Sequence, residues 1–276
     1  MLPAMRRALL ALSVSTLVRC GGGASTAPVA APAAATASKA EASNPAGSRV
    51  HFAAGTFLMG SEDVEAFPDE RPKHSVDVGA FDLDVTEVTV GAYSACVRAG
   101  ACTPAATTVD WPGVRDSDKT TWSKYCNGAR DDRKTHPVNC VDYAQATAYC
   151  AWAGARLPTE QEWEYAARGK AGRTYPWGDD APDAKHANGC GAECVRMAEG
   201  EGFHWSAMYD GDDGWPGTAP VGTYDAGRTP EGLMDLAGNV WEWTSTPYAR
   251  YDGSRPSTTR MVMRGDELEQ RMHLIA

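Results

Sequence analysis

The chain has 276 residues, 43% hydrophobic and 22% charged, which leaves enough after a non-globular leader for one ordinary domain with a sizeable core. A formal net charge of -10 gives no basic footprint for neutralising phosphates, so nucleic acid is not an expected partner. There is no glycine-rich phosphate loop, no nucleophile elbow and no repeat at a solenoid period.

Residues 1–20 read as an export signal, in which Arg6 and Arg7 precede an apolar run from Ala8 to Val18 that is too short to persist as a spanning helix. Leu17-Val18-Arg19-Cys20 resembles a bacterial lipoprotein cleavage box and makes Cys20 a lipidation candidate. Arg19 is the misfit, because such a box wants a small residue there, and plain secretion is the alternative. Residues 21–48 are almost entirely Gly, Ala, Ser, Thr and Pro and are expected to form a disordered tether. The folded domain is then placed at residues 49–265, with a divergent tail at 266–276, and the protein in the cell envelope, periplasmic or held to a membrane only through a lipid.

Within the domain, Phe57, Leu58 and Met59 between Gly55 and Gly60 mark a strand. Val76 and Val78 alternate with polar residues, Gly79-Ala80 offers a turn, and Phe81, Leu83 and Val85 resume the alternation, which predicts a hairpin. Thr89 is placed to cap a helix from Val90 to Ala99 that stops at Gly100. Asp142 with Gln145 predicts a capping box and a helix to Ala153, and Thr159 with Glu162 predicts a second box on a helix ending at Gly169, with Pro158 facing Trp163. Beyond Gly169 the density of Gly, Pro, Asn and Asp predicts long ordered loops. Trp152, Trp163 and Trp177 are expected to anchor those loops against the helices.

Eight cysteines in an exported chain point to disulfides. Cys96 with Cys102, Cys126 with Cys140, and Cys190 with Cys194 each bracket a short loop and are the candidate pairs. If Cys20 carries a lipid, Cys150 is left without a partner. A zinc site at Cys190 and Cys194 lacks a histidine pair at ligand spacing.

An ordered set of segments carries a family resemblance: GTFLMGS from Gly55, DERPKHSV from Asp69, FDLDVTEVT from Phe81 and HPVNCVDY from His136. It continues with AYCAWAGARLPTEQEWEYAARG from Ala148, YPWGDD from Tyr175, GTAPVG from Gly217 and GLMDLAGNVWEWT from Gly232. From about Val50 to Gly265 the chain resembles the formylglycine-generating enzyme, or sulfatase-modifying factor, family. The resemblance implies an α+β, C-type-lectin-like fold rich in loops.

It also implies two structural calcium sites. One would use Asn188, the Gly189 carbonyl, Asp213 and the Trp215 carbonyl; the other Asp235, the carbonyls of Gly238 and Val240, and Glu242. These are hard oxygen donors in glycine-rich loops, although the same carboxylates could simply cap turns. Enzymes of the family oxidise a sulfatase cysteine to formylglycine with copper held by two cysteines, and soft sulfur suits monovalent copper. Those cysteines follow an Arg-Gly-Gly-Ser-aromatic segment, whereas here Met263-Arg264-Gly265 runs on into DELEQRMHLIA and no cysteine follows Cys194. The family's partner for Cys150 lies in the same missing segment. The expectation is therefore a non-catalytic, calcium-stabilised binding or accessory module acting on an exported protein or peptide, with no catalytic residue assigned. The alternative is a truncated or frame-shifted form of an active oxidase.

Overall fold

A computed structural model of the chain describes residues 16–17, 19–22, 47–64, 66–110 and 115–265. The tail at 266–276 and most of the proposed leader and tether lie outside the described residues. Three small sheets carry the strands. One is ordered β1 (Thr16–Leu17), β7 (Trp241–Pro247), β8 (Met261–Arg264); the second β2 (Gly21–Gly22), β6 (Phe81–Asp84), β3 (Arg49–Phe52); the third pairs β4 (Gly55–Met59) with β5 (His74–Val78). Among the described residues five α-helices accompany them: α1 (Val90–Arg98), α2 (Asp116–Ser123), α3 (Tyr143–Trp152), α4 (Glu160–Arg168) and α5 (Ala192–Gly200). Much of the remaining chain is loop, as the turn-forming composition dictates.

The expected hairpin at Gly79-Ala80 is not formed, although both strands are. β5 pairs with β4 and β6 with β3, so Gly79-Ala80 carries the chain from one sheet to another. Alternation fixes which side chains point inward, and Phe81 and Leu83 are buried as it requires, but it does not choose the neighbouring strand. The Phe57 strand ends where predicted and is preceded by a separate strand, β3.

The helix starts follow their caps. Thr89 Oγ1 accepts from Ala92 N at 3.1 Å. Reciprocal capping boxes close Asp142 with Gln145 on α3 and Thr159 with Glu162 on α4. Gly100, Gly154 and Gly169 follow these helices with positive φ. Two helices were not foreseen. α2 is polar apart from Trp122, which is buried and stacks on Trp205 at 5.7 Å, and α5 starts at Gly191 without a side-chain cap.

Helix α4 is the hub. Trp163, Tyr165, Ala166 and Ala167 pack into the cluster built from Phe52, Phe57, Met59, Val78, Phe81 and Leu83. A second cluster holds Tyr93, Cys96, Val138, Tyr149, Cys150, Leu157 and Val240 between α1 and α3. Trp163 is buried; Trp152 and Trp177 are half-buried, and Trp177 stacks on Tyr175 and His186. Among the described residues no helix is long and apolar enough to cross a membrane.

Candidate metal centres and cysteine pairs

The turn from Asp235 to Asn239 is built by left-handed backbone. Asp235, Gly238 and Asn239 have φ of 58°, 78° and 64°. Gly238 is required twice over: besides its φ, a Cβ there would lie 2.1 Å from the Asn188 carbonyl oxygen. Asn239 N donates to that same oxygen at 2.8 Å, so the loops carrying the two candidate calcium sets are seamed together. Asn239 also donates through Nδ2 to Glu87 Oε2 at 2.9 Å and accepts from Ala219 N at 2.9 Å.

Strand β7 continues from that turn and sends Glu242 into the interior, where it has no exposed surface. Trp163 Nε1 donates to its Oε2 at 3.1 Å, and Arg19 Nε forms an ion pair with the same oxygen at 3.1 Å. Glu242 Oε1 and Glu87 Oε1 are buried without a hydrogen-bond partner. Burial pushes the Glu242 carboxyl up to about 7 against the pull of Arg19 and Trp163. Burial also raises Glu87 well above the ordinary carboxylate range, reinforced by the charges of Asp235 and Glu242. Asp235 is also raised by burial, opposed by the Gly222 N–H donated at 2.6 Å.

The other set is arranged differently. Asp213 Oδ2 accepts from Gly189 N at 3.1 Å and from the Tyr209 hydroxyl at 2.7 Å, while Oδ1 accepts from Trp215 N at 2.9 Å. Asn188 Nδ2 donates to Gly217 O at 2.7 Å. Both Asp213 oxygens thus face N–H and O–H donors, as in a carboxylate that organises a turn. Among the described residues no three His, Cys, Asp or Glu side chains form a ready metal cluster. In the 235–242 set the buried Glu242 Oε1 lacks a donor, whereas both Asp213 oxygens of the 188–215 set have theirs.

The eight cysteines form four disulfides: Cys20–Cys150, Cys96–Cys102, Cys126–Cys140 and Cys190–Cys194. Three of these join the pairs bracketed by short loops. The fourth joins Cys20 to Cys150, the cysteine that is left without a partner if Cys20 carries a lipid. Cys20 is buried in the α1–α3 cluster, where its sulfur meets Cys150. The thiolate pair that copper would need is not offered by this chain, so the residues present do not fit that metal. Sequence reasoning missed Arg19, Glu87 and Asn239. Arg19 sits in a stretch that reads as a processing site, and Glu87 looks like an ordinary polar residue beside a helix cap.

The result is a loop-rich α+β domain pinned by disulfides and buried carboxylates instead of large sheets. The sequence profile of the sulfatase-modifying factor enzyme 1-like domain matches residues 34–275, and the chain belongs to that family. It is 36% identical to the formylglycine-generating enzyme of Mycobacterium tuberculosis over 76% of this chain and 77% of that protein. It is 31% identical to the inactive C-alpha-formylglycine-generating enzyme 2 of Mus musculus, covering 72% of this chain and 68% of that protein. Among solved structures, PvdO from Pseudomonas aeruginosa superposes with a TM-score of 0.54 at 25% identity, over 80% of this chain and 82% of that one.

Proposed function

We propose that this chain is an exported, non-catalytic member of its family, a calcium-stabilised module that binds or assists an exported protein or peptide. The observation that carries this reading is the cysteine inventory: all eight are in disulfides, leaving no thiol to hold copper or to exchange with a peptidyl cysteine. Four disulfides also favour an oxidising compartment. Family membership alone is compatible with either behaviour, since the relatives include a protein named as a formylglycine-generating enzyme and one named inactive.

Asp235, the carbonyls of Gly238 and Val240, and Glu242 would hold calcium. Bound there, the ion would supply positive charge to a pocket of buried carboxyls and fix the Asp235–Asn239 turn. What the chain's own residues do is hold the turn in left-handed backbone, orient Glu242 through Trp163 and Arg19, and exclude water. The test incubates the purified, copper-treated chain with a cysteine-containing peptide and oxygen and follows the peptide mass. The unchanged thiol is expected; an aldehyde product would overturn the reading and favour the oxidase alternative.

A further inference from the structure

Residues 16–17 and 21–22 add to two different sheets. β1 adds in parallel to β7, placing Thr16 opposite Trp241 and Leu17 opposite Glu242. β2 adds antiparallel to β6, placing Gly21 opposite Leu83. Between them Arg19 and Cys20 have no exposed surface. Gly21 and Arg156 exchange backbone hydrogen bonds of 2.6 and 2.9 Å, and the Cys20 carbonyl accepts from Asp84 N at 3.2 Å. Arg19 Nη2 donates to Met234 O at 2.6 Å, and its Nε pairs with Glu242. The same guanidinium is the positive charge acting on Asp235 and Glu87, and it also acts on Asp84.

We propose that residues 16–17 and 19–22 are structural parts kept by the folded protein, with Cys20 as their covalent bolt, so that lipid attachment at Cys20 and closure of this fold exclude one another. Both fates need the same sulfur. In the disulfide, the Cys20 and Cys150 thiols together give up two protons and two electrons to a protein disulfide oxidant, which is reduced to its dithiol. Lipidation would instead form a thioether between the Cys20 sulfur and the diacylglyceryl carbon of a phospholipid, breaking that carbon's bond to the phosphate oxygen, so that the phosphorylated head group leaves with the thiol proton. Cleavage before Cys20 would then remove β1 and Arg19, leaving Glu242 in the calcium-free protein buried without its counter-charge, a costly arrangement.

The experiment expresses the full chain with its leader in a cell that exports it, then reads intact mass, N-terminus and thiols after unfolding without reductant. Expected are a chain that still contains Arg19, no lipid mass and no free thiol. Cys20→Ser and Cys150→Ser should each release a single thiol, and the double variant none. Should the cysteine variants fail to accumulate, Arg19→Ala in chelator decides: its unfolding equilibrium constant should rise roughly a hundredfold, and adding Glu242→Gln should recover most of the loss. An acylated N-terminus at Cys20, a chain beginning beyond Gly22 with a free Cys150, or an Arg19→Ala variant of undiminished stability would overturn the proposal.

Discussion

The Glu242 carboxyl is where burial and charge oppose each other most directly. Its folded value, about 7, lies above the ordinary 4.5, so the folded state holds the proton more tightly than the unfolded chain does. Its contribution to stability is full below about 4.5 and is lost as pH rises through about 7. Glu87 is shifted in the same direction. In chelator, the denaturant midpoint should therefore fall between pH 5 and pH 8, and Glu242→Gln should flatten that fall. A midpoint that rises with pH over that range would show that Arg19 outweighs burial. At Gly238, replacement by alanine meets both the positive φ and the Asn188 carbonyl, and should cost ~3 kcal/mol or more in a chemical denaturation curve.

Among the elements, α4 packs against β4, β5, β7 and β8. Thr159 caps it, and Glu162 returns to Thr159 N at 2.8 Å while gripping Arg156 through both oxygens. Glu164 reaches Arg168 at 2.8 Å and Arg264 at 2.9 Å, tying the helix to β8. Thr159→Ala should lower stability by about 1 kcal/mol, a Tm drop of roughly 2–4 °C by calorimetry. This helix and α3 were legible because caps and glycine stops are local: Thr159, Glu162 and Gly169 lie within one short stretch. The partner of β6 was not, since Phe81 and Leu83 fit any apolar neighbour and the choice of β3 is made by chain topology. Arg19 was hidden for a related reason. Its partners Glu242, Met234 and Cys150 lie far along the chain, and no spacing rule connects them.

Over the whole molecule, small sheets and long loops are held by four disulfides, the α4 hub and the buried carboxyl pocket. The sequence motifs were enough to place the chain in its family, because they occur in order across the domain. They did not distinguish the two candidate calcium sets, whose carboxylates differ in the donors they face. That difference predicts a response: calcium at about 100 times its Kd should raise stability by about 2.7 kcal/mol. Glu242→Gln should abolish the gain, measured as a calcium-dependent Tm shift, and Asp213→Asn should leave it. The central claim, that no thiol pair remains for copper chemistry, is tested most directly by titrating thiols in the unfolded, unreduced protein alongside its copper(I) content. No reactive thiol and no stoichiometric copper are predicted; two thiols per chain together with one copper would contradict the account.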